Sequence, residues 1–458
     1  MSKQIYDAII IGTGQAGPSL AARLAASGMK TAIIEKGRFG GTCVNTGCTP
    51  TKTMVASAKV AHMARRAEDY GIKINGSITV DMKKVKERKD QLVRQSNEGV
   101  EKWMKNTENL SVFEGHAQFI GPHSIQVNDQ QLEAEKIFVN VGGSAFIPPG
   151  FENVDYLTNE SMMEIDFVPE HLIIVGGSYI GLEFGQMYRR FGSQVTIIEM
   201  ADRLITREDP DVSEEVQKIL ALEGIKFRLK AKCLKGTQDG QVITVDVDCE
   251  TGDKTVKGSH LLIATGRKPN TSDLGLDLAG IQTGPRGHIQ VDDQLRTNVE
   301  GVWALGDVNG EGAFTHTAYN DYEIVAANLL DGDPRRLTDR IPAYALFTDP
   351  ALARIGINET EARKSGKNIL MATRTMNRIA RAREKGETHG FMKILVDADS
   401  KMILGASILG IEGDEVIHSL LDMMYAKMPY TVIQRAVHIH PTVSELIPTT
   451  LADLKPLT

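Results

Sequence analysis

Cys43 and Cys48 stand five positions apart in the run Gly40-Gly41-Thr42-Cys43-Val44-Asn45-Thr46-Gly47-Cys48-Thr49-Pro50-Thr51-Lys52. Such a pair can carry thiol–disulfide exchange. In a regular helix that offset means about 7.5 Å of axial rise, more than the usual Cα separation of a disulfide, about 5.5–6 Å. If the two bridge, the backbone between them must be irregular, which Gly47 and Pro50 suit. A disulfide held in awkward geometry is easier to reduce and serves catalysis better than structure. Lys52 lies about one turn beyond Cys48, on the same helix face if the segment is helical. The remaining cysteines, Cys233 and Cys249, sit in polar, strand-like stretches with no His or Cys at metal spacing. They are expected to be incidental, and no metal site is expected.

Two copies of one pattern position this segment. Asp7-Ala8-Ile9-Ile10-Ile11-Gly12-Thr13-Gly14-Gln15-Ala16-Gly17 is followed by an Ala-rich helix pattern and a strand ending in Ile33-Ile34-Glu35. His171-Leu172-Ile173-Ile174-Val175-Gly176-Gly177-Ser178-Tyr179-Ile180-Gly181 is followed by a helix pattern and Val195-Thr196-Ile197-Ile198-Glu199. A constant offset of 164 separates Gly12 from Gly176, Gly17 from Gly181 and Glu35 from Glu199. That is an internal repeat of a βαβ unit. In each copy the glycines let the backbone approach a pyrophosphate at a helix N-terminus, and the acid about twenty residues on binds ribose hydroxyls. The expected dinucleotide sites are Gly12, Gly14, Gly17 and Glu35 in the first copy, and Gly176, Gly181 and Glu199 in the second. Ser178 replaces the middle glycine of the second copy, so weaker or differently placed binding is expected there.

The thirteen-residue cysteine motif resembles the redox-active disulfide motif of the class I pyridine nucleotide–disulfide oxidoreductases. That family includes dihydrolipoamide dehydrogenase, glutathione reductase and mercuric reductase, and the resemblance covers essentially the whole chain. It implies that Cys43 is the interchange thiol that attacks the acceptor and that Cys48 stacks on a flavin. It implies a Lys52–Glu183 pair beside the flavin that tunes hydride transfer. Tyr179 matches the position where several relatives place a tyrosine over the flavin that moves aside for nicotinamide. The run Thr297 to Gly306-Asp307 resembles the second FAD motif, with Asp307 on the ribityl chain. Ala264-Thr265-Gly266-Arg267-Lys268-Pro269-Asn270 resembles the crossover back to the FAD domain. His440-Pro441-Thr442-Val443-Ser444-Glu445 resembles the C-terminal signature in which the histidine enters the partner subunit's site, so a homodimer is implied. His suits proton shuttling near neutrality, and Glu445 would orient it.

Composition agrees with a soluble globular protein. The chain has 458 residues, 41% hydrophobic and 24% charged, with net charge -7. Two to four domains are expected. Nothing points to nucleic acid or an anionic membrane, and no apolar run approaches the ~20 residues of a membrane helix. Ile5 to Ile11 is too short for a signal segment and contains Asp7. A cytoplasmic location and a part in cell redox homeostasis are expected.

The expected fold is α/β: two Rossmann-like nucleotide-binding domains plus a C-terminal α+β dimerisation domain. The boundaries are 1–148 with 271–338 for FAD, 149–270 for NAD(P), and 339–458 for dimerisation. His288 to Leu295 reads as strand and loop, Phe391 to Val396 and Met402 to Ala406 as paired strands, and Glu415 to Lys427 as one apolar helix. The expected function is an FAD-dependent NAD(P)H oxidoreductase that passes electrons through a Cys43–Cys48 disulfide to an undetermined disulfide, dithiol or metal-ion acceptor. Alternatives are a dihydrolipoamide dehydrogenase, a mercuric reductase-like metal reductase and a non-catalytic NADH-sensing flavoprotein. Glu199 favours NADH by repelling a 2′-phosphate, while Arg203 and Arg207 leave NADPH open. Mercuric reductases carry a C-terminal cysteine pair, and no cysteine follows Cys249 here.

Overall fold

The structure is a computed structural model that describes residues 3–248 and 253–457. Isoleucine and valine runs such as Ile9–Ile11 and Ile173–Val175 are buried from both faces. That is the composition of strands covered by helices on each side.

The first sheet has seven strands. Leu110–Glu114, Thr31–Glu35, Lys3–Ile11 and Gln130–Val139 lie parallel. The far side of Gln130–Val139 is shared by Val302–Ala304, parallel, and by an antiparallel pair, Ser124–Val127 and Ala117–Gly121. Helix α1 (Gly17–Ala26) follows the first strand, and α2 (Gly41–Asn45), α3 (Cys48–Arg65) and α4 (Met82–Asn106) lie between Thr31–Glu35 and Leu110–Glu114.

The second sheet is parallel, in the order Lys226–Arg228, Gln194–Ile198, His171–Val175, His260–Ile263. It carries α5 (Tyr179–Phe191) and α6 (Pro210–Leu222), and a three-stranded antiparallel sheet lies beside it. The chain enters and leaves this unit through Gly143–Ala145 and Arg267–Pro269, which pair antiparallel. Helix α7 (Thr315–Ala326) then leads to a six-stranded antiparallel sheet with Phe391–Asp397 and Ile403–Gly410 at its centre.

The α/β architecture with a separate C-terminal antiparallel unit is as expected. Two local details differ. His288–Leu295 holds an isolated bridge from Ile289 to Thr283 rather than a strand. The single helix expected over Glu415 to Lys427 splits at Ile417 into Gly413–Val416 and His418–Tyr425. Cys249 and the Cys233 side chain lie outside the described residues.

One apolar cluster ties the units together. It runs from Met54 and Ala58 on α3 through Leu182, Phe184 and Met187 on α5 to Leu346, Leu352 and Leu409 of the C-terminal sheet. The cysteine-bearing helix is thereby clamped between the second nucleotide unit and the C-terminal sheet.

Candidate active site

The repeat extends to individual hydrogen bonds. Gly12 N donates to Ile34 O and Gly176 N to Ile198 O, each at 2.8 Å. Thr13 N donates to Glu35 Oε2 at 3.0 Å, and Gly177 N to Glu199 Oε2 at 2.6 Å. Gly37 N reaches Glu35 Oε1 at 2.8 Å, and Ala201 N reaches Glu199 Oε1 at 2.9 Å. A Cβ on Gly17 would lie 2.2 Å from Gly12 O, and one on Gly181 would lie 2.0 Å from Gly176 O. Only glycine lets each helix start so close to its strand.

Cys43 and Cys48 sit on two different helices. The helical path breaks at Thr46 and Gly47, with φ/ψ of -142/9° and -122/-115°. A Cβ on Gly47 would come within 2.8 Å of Thr42 O, so glycine allows the tight return. Buried Asn45 fastens the turn by donating to Phe39 O at 2.8 Å and Gly41 O at 2.9 Å. Asn159, from beyond the crossover, donates to Thr46 O at 3.3 Å. The irregular backbone expected between the cysteines is therefore present. The turn brings Cys43 and Cys48 into side-chain contact.

The two thiols are electrostatically unequal. Cys48 is held down to about 6, first by the hydrogen bond from the Cys43 thiol and then by the Thr315 hydroxyl and the Lys52 ammonium, which outweigh burial. Cys43 is pushed well above the ordinary thiol range by donating to Cys48 and by burial. The pair is thus polarised, with Cys48 lowered and Cys43 raised. Thr315, the first residue of α7, places its hydroxyl 3.1 Å from Cys48 Sγ.

Lys52 Nζ pairs with Glu183 Oε2 at 2.6 Å, bridging α3 and α5. The Glu183 side chain is 5% exposed and that of Lys52 33%. Glu183 Oε1 also accepts from Phe347 N at 2.9 Å, and the Phe347 ring lies 4.6 Å from Lys52 Nζ.

A cavity of about 740 Å³ joins these groups. Its lining includes Gly12, Gly14 and Glu35 of the first copy, Cys43, Cys48, Lys52, Tyr179 and Glu183, and Gly306 and Asp307. Burial pushes the Asp307 carboxyl up, partly offset by the Arg267 guanidinium, whose Nε lies 3.4 Å away. Burial likewise raises the Tyr179 phenol. The donor set fits FAD. A bare backbone floor meets the first helix start: a Cβ on Gly41 would fall 2.8 Å from Gly14 Cα. The same cavity is lined by both thiols.

Several expected residues lie elsewhere. Gly17 is buried beneath the loop. Gly176, Gly181 and Glu199 form the second loop, outside the cavity lining. Gly266 is an exposed turn residue with φ 129°, next to Arg267. His440 and Glu445 form their pair, with Nδ1 2.9 Å from Glu445 Oε2. His440 stands on the outer surface of the C-terminal unit, 74% exposed, while the Glu445 side chain is largely covered. Val437 and Ile439 beside it are 99% and 80% exposed.

Sequence reasoning missed Thr315, Phe347, Asn45 and Asn159. Asn45 stood inside the motif but carried no chemical signal; the others have no motif of their own. Among the described residues one carboxylate group has metal-ligand spacing, Asp209, Asp211 and Glu359. Lys393 Nζ already occupies its centre, 3.5, 2.7 and 2.8 Å from the three.

A family model for pyridine nucleotide-disulphide oxidoreductases matches residues 6–321, and a model for the dimerisation domain of that family matches residues 342–451. The chain is 36% identical over 452 residues to a probable pyridine nucleotide-disulfide oxidoreductase, RclA, of Escherichia coli (strain K12), covering 96% of this chain and 97% of that protein. It is 34% identical over 451 residues to dihydrolipoyl dehydrogenase 2 of Haloarcula marismortui, covering 96% and 94%. Among solved structures, the Cu(II) complex of the HOCl-induced flavoprotein disulfide reductase RclA from Escherichia coli superposes with a TM-score of 0.89 at 33% identity, covering 99% of both chains.

Proposed function

The chain belongs to the pyridine nucleotide-disulphide oxidoreductase family, and from that premise we propose that it moves electrons from NADH through Cys48 and Cys43 to an acceptor that meets Cys43. It is a flavoprotein enzyme that uses FAD and a nicotinamide nucleotide. The observation that carries the residue assignment is the shared cavity, in which Cys43 and Cys48, the Lys52–Glu183 pair and the first glycine loop face one chamber.

Gly12, Gly14, Glu35, Gly306 and Asp307 would hold FAD, and Lys52 and Glu183 would flank its reactive ring. Hydride acceptance from the nicotinamide and two-electron transfer to the thiol pair are the chemistry that bound FAD supplies. Residues 1–148 with 271–338 are assigned to this cofactor, 149–270 to the nicotinamide nucleotide and 339–458 to dimerisation.

The chain's own residues then reduce the acceptor. Cys43, once deprotonated, attacks one sulfur of a disulfide, and a mixed disulfide forms as the first thiolate leaves. Cys48 attacks the Cys43 sulfur, the Cys43–Cys48 bridge closes, and the second thiolate leaves. The protein pair is oxidised by two electrons and the acceptor reduced by two. Because the Cys43 proton is held by Cys48 and by burial, its attack needs a base. We assign that base to His440 of a second copy, oriented by Glu445. The support is its exposure on an apolar surface of a matched dimerisation domain. A metal-ion acceptor is the second reading, favoured by the Cu(II) complex of the structural relative.

Glu199 accepts from two backbone amides of its own segment, and a carboxylate at this position of the motif would meet ribose hydroxyls and repel a 2′-phosphate, which favours NADH. A reducing, cytoplasmic compartment suits a pair of free thiols. No helix among the described residues is long and apolar enough to cross a membrane.

The test is an anaerobic NADH titration followed by absorbance. A long-wavelength band after two electrons, absent in Cys48→Ser, supports the relay. Bleaching of the flavin without such a band in the unsubstituted protein overturns it.

A further inference from the structure

Tyr179 is held at two ends. Its backbone opens α5 directly after the second glycine loop, and its ring centroid lies 5.8 Å from that of Phe314, tilted by 46°. Phe314 stacks in turn on Tyr344, with centroids 5.5 Å apart and planes 3° apart. Both separations lie within the range of attractive aromatic pairs. The Tyr344 hydroxyl donates to Glu208 Oε1. The other Glu208 oxygen accepts from Arg354 Nη1 at 3.0 Å. The Glu208 side chain is 0% exposed, and a carboxylate so placed needs both partners.

Glu208 belongs to the segment that leaves Glu199. This segment folds back onto the glycine loop, where Ile205 N donates to Gly177 O at 3.0 Å. A Cβ on Gly177 would meet Leu204 Cδ2 at 2.7 Å. Ile205 has φ 44°, a left-handed conformation that a β-branched residue adopts only where surrounding contacts impose it. Glu208 N then donates to Ile205 O at 2.8 Å. A continuous path therefore runs from the dinucleotide loop through Ile205, Glu208, Tyr344 and Phe314 back to the Tyr179 ring.

We propose that Phe314, Tyr344 and Glu208 are positioning residues that brace Tyr179 over the cavity and set how readily a nicotinamide ring displaces it. The inference rests on Tyr179 being the ring that covers the flavin site. A braced ring lowers the fraction of molecules open to nicotinamide, and apparent affinity falls by that fraction. Loosening the brace therefore tightens nucleotide binding.

The test uses the flavin-loaded, full-length protein and equilibrium binding of NAD+ by calorimetry, which needs no turnover. Tyr344→Phe keeps the stacked ring and removes only the bond to Glu208; Phe314→Leu removes the stack. Each is expected to lower the NAD+ Kd, Phe314→Leu by about three- to tenfold, the range for losing one aromatic contact. In a Tyr179→Ala background neither substitution has any further effect, because the braced ring is gone. Equal effects with and without Tyr179, or no effect of Phe314→Leu, overturn the brace. If Tyr179→Ala itself leaves NAD+ affinity unchanged, the covering role of Tyr179 fails and the brace falls with it. Melting temperatures of the same variants separate a general loss of packing from the specific shift.

Discussion

The Cys48 sulfur lies 3.1 Å from the Thr315 hydroxyl across a separation of 267 residues. Through it α7 reaches the thiol pair, and the Thr315 hydroxyl helps to lower the Cys48 thiol.

The first prediction follows from that contact. Cys48 is lowered from 9.0 to about 6, so the reduced protein should hold a thiolate above about pH 6 and lose it as the pH falls further. The depressed value also stabilises the folded dithiol form. That contribution is complete above the unfolded value near 9 and is lost as pH falls through the folded value near 6. Thr315→Val should raise the midpoint by about one unit, the worth of one hydrogen bond to a charged group. Thr315→Ser should restore it. Thiolate absorbance against pH is the measurement, and an unmoved midpoint in Thr315→Val would count against the contact.

Lys52 and Glu183 are asymmetric partners, one third exposed and nearly buried. Lys52→Met should cost about 1–2 kcal/mol. That is less than a fully buried pair loses, because solvent screens the lysine side. Lys52→Met with Glu183→Gln should recover most of the loss, since no uncompensated charge is then left inside. Denaturant unfolding of the two variants and the parent checks this. A double variant no more stable than Lys52→Met would show that the buried charge is not the cause.

His440→Ala should fold and retain FAD yet lose about 10²–10⁴ in dithiol–disulfide turnover, the usual worth of a positioned acid–base group. Mixed with an inactive Cys43→Ser protein, it should regain part of its activity in hybrid dimers, because one site then keeps both groups. Unmixed His440→Ala with full turnover would falsify the base assignment.

Glu199→Ala should narrow the preference for NADH over NADPH by about tenfold, the scale of one lost hydrogen bond to a charged group. The ratio of kcat/KM for the two nucleotides is the readout. A parent protein that already uses both equally would remove the basis for the argument.

The sequence made the catalytic segment and both glycine loops legible for a local reason. Gly12-Thr13-Gly14 and Gly47-Cys48 are constrained by backbone geometry within a few residues, so their types record what the backbone must do. The offset between the two loops survives in the hydrogen bonds of Glu35 and Glu199 to their own loops. The single helix expected over Glu415 to Lys427 divides at Ile417, because apolar periodicity reports a buried face and not the continuity of the axis.

By itself the sequence determined the paired cysteines, the duplicated nucleotide units with their acids, and the His440–Glu445 pair, all written within short stretches of chain. Only the tertiary structure decided that the Cys48 thiol is lowered, because the Cys43 thiol, the Thr315 hydroxyl and the Lys52 ammonium converge on its sulfur. It also decided that Glu208, 136 residues from Tyr344, anchors the aromatic stack that ends on Tyr179. These outcomes depend on the packing of α3, α5, α7 and the C-terminal sheet around one cavity. Contacts between distant segments leave no spacing in the chain that could be read beforehand.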